Sequence, residues 1–347
     1  MTQAGFFDVD RRLEVISAKG DPLETIKTTV PWEEFRGSIE AVTETKPQDR
    51  KSPAGRKSYD TLLKFKMVVL AALHNLSDEQ LEVQVRDRLS FMRFLDLGLH
   101  DPVPDATTIW LFREALVEAK LIDELFGLFD QHLAAKGYIA RGGQIIDATI
   151  VSAPKQRNSR EDNETVKAGE TPKEWETQPA KNAQKDKDAR WTKKHGKSYY
   201  GYKNHVGIDK AHKLIRKWDA TDASVHDSQK LDDLLDVNNT GRTVWADSAY
   251  RSAEIEAKLA AKSLKSRVHL KGVRGRPLSE TEKKTNTARS EVRARVEHIF
   301  GHQENSMGRK VVRTIGMARA RFKIGMMNLG YNVRRLVQLE RMATASA

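Results

Sequence analysis

The stretch that decides the fold is GGQIIDATIVSAP, residues 142–154. It is rich in β-branched residues and lies between two glycines and Pro154, which favours a buried strand over a helix. Asp147 stands in the middle of this apolar run. A carboxylate is seldom buried unless it is paired or holds a metal. Asp147 taken alone is therefore either a capped or salt-bridged residue, the more common case, or a metal ligand.

Length and composition exclude several classes of protein. The chain has 347 residues, enough for two domains or for one large domain with an added module. It has no cysteine, which excludes disulfides, zinc ribbons and thiol catalysis and is compatible with a reducing cytosol. The longest uninterrupted apolar block, residues 67–73, is too short to span a bilayer. We therefore expect a soluble cytoplasmic protein without a signal peptide.

The charge of the chain is strongly positive and unevenly distributed. The net charge is +12 and the isoelectric point is about 9.6. Residues 266–347 alone contain 18 Lys and Arg against 6 Asp and Glu. Such a surface is often merely solvated, but this polarisation favours a region that faces nucleic acid.

The first part of the chain is predicted to be helical. Residues 1–56 are interpreted as an N-terminal arm and linker, with a short helix at 31–42 and a polar segment at 43–57. Residues 57–137 form a small all-helical domain, in which Ser77 and Gln80 make a capping box. Helix pairs with short turns can read DNA, although packing explains the pattern equally well, so DNA-end binding by this domain stays open. Its predicted helices cover residues 59–75, 77–92, 104–117 and 121–136.

Residues 138–347 are predicted to form an α/β catalytic domain with a mixed five-stranded sheet and flanking helices. The polar segment 155–198 is interpreted as a long loop or partly disordered insertion, anchored by Trp175 and Trp191. The last helix, 320–342, has one apolar stripe that we expect to pack against the sheet, with a dimer contact as the alternative. The other elements are strands at 144–151, 199–209, 213–221, 242–246 and 267–270 and helices at 226–235, 253–261 and 288–301.

Two further carboxylates, Asp247 and Glu297, are candidate partners of Asp147. Asp247 follows a second apolar strand, and ligands of mixed α/β sheets gather at the carboxyl ends of strands. Glu297 shares a helix face with Arg293, which in isolation indicates an everyday ion pair. Taken together, three oxygen ligands from separate elements are the set that Mg²⁺ or Mn²⁺ prefers. Two such ions about 4 Å apart promote phosphodiester transfer.

The chain resembles the DDE transposases of bacterial insertion sequences, specifically the IS-five family. The resemblance covers residues 59–339, and its most specific parts are 145–153 with Asp147, 245–251 with Asp247, and the Arg293, three residues, Glu297 spacing. It implies a ribonuclease-H-like catalytic domain in which Asp147, Asp247 and Glu297 are the catalytic metal ligands for two Mg²⁺ or Mn²⁺ ions. It also implies cut-and-join chemistry, in which water attacks at the element ends and the freed 3′ hydroxyl attacks target DNA.

Two positions depart from the family's pattern. Ser290 stands where a tyrosine is usual, and Glu304 stands where a lysine is usual. The metal ligands are unaffected, but the residue that contacts the transposon-end phosphate changes, and Arg309 and Lys310 are the nearest substitutes. The implied partners are double-stranded DNA, as terminal inverted repeats and target, and further copies of the chain in a dimer or larger synaptic complex at the bacterial nucleoid.

The DNA-binding surface is predicted from basic residues with interleaved tyrosines, of which we expect about half to contact DNA. Two alternative functions remain at this point. One is a metal-dependent nuclease of the same fold, which cleaves without joining, and the other is a DNA-binding repressor with an inactive site, against which the intact acidic triad argues. The DNA-contact candidates are Lys193, Lys194, Lys197, Tyr199, Tyr200, Lys203, Arg251, Lys271, Arg274, Arg276, Arg293, Arg309 and Lys310.

Overall fold

The chain divides into two compact units. The structure, a computed structural model, describes residues 5, 7–43, 58–194, 196–308 and 311–346. One unit contains the chain up to Gly137 together with Leu329–Ala347, and the other contains Tyr138–Asn328. The polar segment predicted at 43–57 therefore falls almost wholly outside the described residues. Arg309 and Lys310 also fall outside them.

The first unit is helical in its described part. The predicted capping box is confirmed, because Ser77 Oγ accepts from the Gln80 amide at 3.2 Å and Gln80 Oε1 accepts from the Ser77 amide at 3.1 Å. The helix expected to run on to residue 92 is interrupted at Arg88, which is extended. The helices, besides a 3-10 turn at Trp32–Phe35, are α1 (Asp8–Ala18), α2 (Pro22–Thr29), α3 (Arg36–Thr43), α4 (Thr61–His74), α5 (Asp78–Asp87), α6 (Leu89–Phe94), α7 (Ala106–Glu118) and α8 (Ile122–Ala135).

Helices α1 and α2 were not predicted from the sequence. Helix α1 has no fully buried residue, and its apolar positions Val9, Leu13 and Ile16 are only partly buried. Helix α2 is short but has a clear start, since Asp21 accepts from the Leu23 amide at 3.0 Å and Pro22 occupies the first turn. The described part of the N-terminal region is therefore folded helix rather than an arm.

The second unit is built on a mixed sheet of six strands. The α/β class with flanking helices is confirmed, but the predicted count of five strands is wrong because one more strand forms inside the polar segment. The order is β2-β3-β1-β5-β6, with β4 also paired to β3. Strands β1 and β3 are antiparallel, whereas β1, β5 and β6 are parallel. The strands are β1 (Gln144–Ser152), β2 (Arg190–Lys194), β3 (Lys197–Asp209), β4 (Ile215–Asp222), β5 (Thr243–Trp245) and β6 (Lys265–Ser266).

The polar segment 155–198 is ordered in its described part rather than a loop. It contains the short helices α9 (Arg160–Lys167), α10 (Lys173–Glu176) and α11 (Pro179–Ala183) before β2. Trp175 is buried and Lys185 Nζ lies 4.8 Å from the centre of its ring, which confirms one expected anchor. Trp191 is 41% exposed on β2 and is a weaker anchor. One large buried aromatic side chain thus orders a segment whose composition is typical of disorder.

The parallel register of β1 and β5 fixes where the two aspartates lie. Ile145 pairs with Trp245, so Asp147 and Asp247 each follow that pair by two residues. Gly143 permits the close approach of the strands, because it adopts φ +90° and a Cβ atom there would lie 2.6 Å from the Thr243 carbonyl oxygen. The two carboxylates therefore occupy equivalent positions at one edge of the sheet.

Helices cover the sheet and complete its core. Helix α12 (Leu231–Leu234) lies close to β3, where a Cβ on Gly207 would come within 2.3 Å of the Leu234 carbonyl oxygen. Helix α13 (Ala253–Ala261) matches its prediction and packs its buried Leu259 in the same apolar cluster as Ile146. Helix α14 (Glu280–Asn305) begins eight residues earlier than predicted, at the Ser279 capping box.

Helix α15 (Met317–Ser346) belongs partly to each unit. Asn328 is buried and exchanges two hydrogen bonds with Asn204 of β3, at 2.8 and 3.0 Å, so the expected packing against the sheet is found up to this residue. Beyond it the helix groups with the helical unit, where Arg334 donates to the Leu73 carbonyl at 2.9 Å. Among the described residues, no helix combines the length and apolarity needed to cross a membrane.

Candidate active site

Asp147 is held at the sheet edge by one arginine and one amide. Its Oδ2 accepts from Nη2 of Arg293 on α14 at 2.8 Å, and its Oδ1 accepts from the Ala148 amide at 2.8 Å. Burial raises the pKa of the Asp147 carboxyl above its usual range, partly opposed by the Arg293 charge and helped by the nearby Asp247. The side chain is 13% exposed, so this desolvated carboxylate still has access to solvent.

Asp247 caps the turn that follows β5. Its Oδ1 accepts from the Ala249 amide at 2.7 Å, which starts the 3-10 turn Ser248–Tyr250. The residue is partly buried, and its charge contributes to the raised pKa of Asp147. The two predicted ligands on strands are therefore brought together, each with one oxygen already oriented by a backbone amide.

Tyr250 is a site residue that the sequence reasoning missed. Its ring is fully buried in the cluster with Ile146, and among the described residues its hydroxyl has no hydrogen-bond partner. Burial, followed by the charges of Asp147, Asp227 and Asp247, raises the pKa of its hydroxyl well above the usual range. In the sequence, Tyr250 stands three residues after Asp247, at the end of an apolar stretch, and nothing there distinguishes it from a core residue.

Asp227 is a fourth carboxylate near this site, also missed. It begins a 3-10 turn after β4, at Asp227–Lys230, and its Oδ1 lies 2.8 Å from Lys203 Nζ. Nothing in the sequence singled it out, since it falls in the first turn of the helix predicted at 226–235. Lys203 also donates to the Val225 carbonyl at 2.7 Å, so this lysine is engaged within the protein.

Glu297 is placed differently from the two aspartates. It lies on α14 one turn after Arg293 and is exposed. Within the part of the chain that the structure describes, no group of three or more His, Asp or Glu side chains lies close enough to hold a metal ion. The structure thus brings together Asp147, Asp247 and Arg293, and leaves Glu297 on the neighbouring surface of the same helix.

The donors that are present fit a hard divalent cation. Asp147 and Asp247 offer carboxylate oxygens only, and their mutual repulsion is partly offset by the Arg293 guanidinium. Arg293 itself has a buried Nε without a hydrogen-bond partner among the described residues, so it retains a donor for another ligand. A site with two like charges, a cationic neighbour and spare capacity is suited to binding a metal and a phosphate.

The predicted DNA contacts fall into two groups. The turn that joins β2 to β3 exposes Lys193, Lys194 and Lys197, and the loop before α14 exposes Lys271, Arg274 and Arg276. Three other candidates are engaged within the protein. Tyr200 is buried and its hydroxyl donates to the Asp186 carbonyl at 3.0 Å, Lys203 pairs with Asp227, and Arg251 pairs with Glu256 at 3.1 Å. Tyr200 and Lys203 therefore serve the fold, whereas the two exposed groups face solvent, with Arg276 also paired to Glu282 at 3.0 Å.

Asp147 on β1 and Asp247 after β5 thus occupy equivalent positions along two adjacent parallel strands of the mixed sheet. The chain belongs to the transposase DDE domain family, whose model matches residues 140–333, more than half of the sequence. A second family model, transposase domain (DUF772), matches residues 11–115. The predicted DDE transposase assignment is confirmed at this level, and the IS-five subgroup stays a prediction.

The structure is also similar to a solved transposase. That protein is the piggyBac transposase, in a cryo-EM structure of its synaptic complex with hairpin DNA. The match covers 94% of this chain and 76% of that chain, at 13% sequence identity and a TM-score of 0.48.

Proposed function

We propose that this protein cleaves DNA at the ends of its own insertion sequence and joins the freed 3′ hydroxyls to target DNA. The observation that carries the proposal is the pair Asp147 and Asp247, equivalent in register on adjacent parallel strands, with Arg293 bonded to Asp147 at 2.8 Å. Membership of the transposase DDE domain family supports the same chemistry.

Asp147, Asp247 and Glu297 are the residues that would hold two Mg²⁺ or Mn²⁺ ions. When bound, such ions supply activation of an attacking hydroxyl and stabilisation of the leaving oxygen. The chain's own groups fix the geometry beforehand. The Ala148 and Ala249 amides each orient one aspartate oxygen, and strands β1 and β5 set the separation of the two carboxylates.

Arg293 has two tasks in this proposal. Its Nη2 holds Asp147 at 2.8 Å and offsets the repulsion between the two aspartates. Its Nε is buried and has no partner within the described residues, so it can donate to an oxygen of the phosphate that is attacked. A lysine offers no such fixed fork, and we therefore expect Arg293→Lys to bind DNA but cleave it poorly.

The DNA lies, in this proposal, against the exposed basic residues of the sheet unit. Lys193, Lys194 and Lys197 form one patch and Lys271, Arg274 and Arg276 form another, and neutralising phosphates would release counterions and make binding sensitive to salt. Further elements of the proposal are IS-five membership, end binding by the helical unit, a dimer or larger synaptic complex, and action at the bacterial nucleoid.

A strand-transfer assay separates this function from its two alternatives. The DNA that flanks the gene provides the substrate, since inverted repeats close to both ends would define the element. Labelled end DNA is incubated with Mg²⁺ or Mn²⁺ and a plasmid, and products are separated on a gel. We expect covalent joining to the plasmid. Cleavage without joining would indicate a nuclease, and binding without metal-dependent cleavage would indicate a repressor; either result would contradict the proposal.

A further inference from the structure

Three arginines lie close together near the Val268 carbonyl, where Arg251 has a carboxylate partner, Glu256. Nη1 of Arg251 lies 3.3 Å from the Val268 carbonyl oxygen, and Nη1 of Arg289 lies 2.5 Å from the same oxygen. The two guanidinium nitrogens are therefore no farther apart than the sum of these distances. Burial, followed by the charges of Arg267 and Arg251, lowers the pKa of Arg289. Arg267 adjoins Val268 in the chain, so the three positive charges lie together.

Among the described residues, only one carboxylate forms an ion pair with this cluster. Glu256 pairs with Arg251 at 3.1 Å and also accepts from Ser266 Oγ at 2.8 Å. Among the residues that the structure describes, neither Arg267 nor Arg289 forms an ion pair, and Arg289 Nε is buried without a hydrogen-bond partner. Bringing like charges together and desolvating one of them opposes folding, and a bound anion would relieve that cost.

The cluster adjoins the carboxylate site. The His269 amide donates to the Ala246 carbonyl at 3.1 Å, which sets the chain after β6 beside the residue that precedes Asp247. The pKa of His269 is lowered, chiefly by burial and then by Arg293, while Asp247 raises it and Arg289 lowers it. Arg293 follows Arg289 by four positions on α14, so the two share a helix face and lie about 6 Å apart along the axis.

We propose that Arg251, Arg267 and Arg289 form a second phosphate subsite, which binds a backbone phosphate of the DNA strand one position away from the phosphate that is cut. The proposal rests on the function proposed above. In this arrangement Arg293 faces the reacting phosphate and Arg289 the neighbouring one. Ser290 and Glu304 offer no positive charge to a phosphate. The three arginines of the subsite would provide that contact instead.

The test measures how DNA affinity depends on salt. A fluorescent duplex oligonucleotide is titrated with the full chain over a series of KCl concentrations without divalent metal, and the logarithm of the binding constant is plotted against that of the salt concentration. We expect Arg267→Ala and Arg289→Ala each to reduce the slope by about 1, because each removes one contact with a phosphate. Glu256→Gln should steepen the slope, because it frees Arg251 for a phosphate.

Lys283→Ala is the matched control. Lys283 lies on the same helix, is exposed, and pairs with Glu280 at 2.7 Å rather than with the cluster. We expect its slope to stay close to that of the parent protein. The Arg267 side chain makes no hydrogen bond among the described residues, so Arg267→Ala tests the subsite even if Arg289→Ala fails to fold.

The subsite would be overturned if Arg267→Ala and Arg289→Ala both kept the salt-dependence slope of the parent protein. It would also be overturned if Lys283→Ala reduced that slope by as much as the arginine variants do. The result is independent of the proposed function, because binding is measured without metal. A parent protein that binds with the expected slopes but joins no DNA would refute transposition and leave the subsite standing. If the parent protein joins DNA but the arginine variants keep its salt-dependence slope, the subsite is refuted and transposition is not.

Discussion

Two aspartate–arginine pairs in the sheet unit have similar geometry and different surroundings. Asp209 lies 3.0 Å from Arg216 and Asp147 lies 2.8 Å from Arg293. Asp209 is fully buried and also accepts from the His212 and Leu214 amides, at 2.7 and 3.3 Å. Asp147 is 13% exposed, accepts from a single amide, and faces the charge of Asp247.

The difference separates a carboxylate that stabilises the fold from one that is available for chemistry. The oxygens of Asp209 accept hydrogen bonds from amides of its own hairpin and from Arg216. The buried pair therefore stabilises the β3–β4 turn. Asp147 is held in place but is not saturated, and a like charge stands beside it. Such underbonded, mutually repelling groups are tolerated where a ligand completes them.

The largest expected effect on stability is at Asp209. Asp209→Asn removes the carboxylate charge that pairs with Arg216, a guanidinium that is itself 5% exposed. We expect the free energy of unfolding to fall by about 3–5 kcal/mol, measured by chemical denaturation. Asp147→Asn is the matched comparison and should cost clearly less, because the ionised Asp147 is already disfavoured by burial. Equal losses in the two variants would remove the distinction drawn between the pairs.

The second effect is a pH dependence at His205, on β3 opposite Ala148. Burial lowers the pKa of His205 to about 4 despite the nearby Asp227 and Asp219, while its Nε2 lies 2.8 Å from Thr221 Oγ1. The folded-state pKa is below the unfolded value, so stability is complete above about pH 6.5 and is lost as pH falls towards 4.

The size of this effect follows from the shift. At about 1.4 kcal/mol per pKa unit, roughly 3 kcal/mol should disappear over that range. His205→Gln should flatten the profile of unfolding free energy against pH in this window. A variant whose profile keeps the parent slope between pH 6.5 and 4 would show that His205 does not titrate this way.

The third effect contrasts two buried tyrosines. The Tyr202 hydroxyl donates to both oxygens of Asp186, at 2.8 and 2.7 Å, whereas the Tyr250 hydroxyl has no partner among the described residues. We expect Tyr202→Phe to lower the free energy of unfolding by about 1–3 kcal/mol, because the buried Asp186 loses one of its donors.

Tyr250→Phe should leave the free energy of unfolding close to the parent value, since no protein hydrogen bond is lost. Both variants remove one hydroxyl from a fully buried ring, so each is the control for the other. Thermal and chemical denaturation give the comparison. A larger loss in Tyr250→Phe than in Tyr202→Phe would mean that the hydroxyl near the carboxylates is satisfied after all.

The sequence predicted the strands that carry or precede Asp147 and Asp247 better than the periphery of the fold. The run around Asp147 and the apolar strand before Asp247 carry local signals, since glycines, β-branched residues and misplaced acids are each visible within a few positions. Helix α13 and the capping box at Ser77 were read for the same reason. Where turn chemistry and periodicity coincide, local sequence is enough.

What the sequence missed depends on contacts between distant positions. Strand β2 was hidden in a polar segment because its partner, the first half of β3, supplies the pairing rather than its own composition. The cluster of Arg251, Arg267 and Arg289 forms because distant parts of the chain meet near one carbonyl oxygen. Tyr250 stands out because its buried hydroxyl has no hydrogen-bond partner among the described residues. Residue spacing and composition predict neither the cluster nor the unpaired hydroxyl.

Metal-dependent cleavage by carboxylate variants tests the assignment of the active site most directly. Asp147→Asn, Asp247→Asn and Glu297→Gln are assayed on element-end DNA with Mg²⁺, alongside binding of the same DNA. Glu291→Gln, an exposed carboxylate on the same helix as Glu297, is the control. We expect the first three to bind DNA and to lose cleavage and joining, while the control retains both. Parent-level cleavage by any one of Asp147→Asn, Asp247→Asn or Glu297→Gln would contradict the assignment.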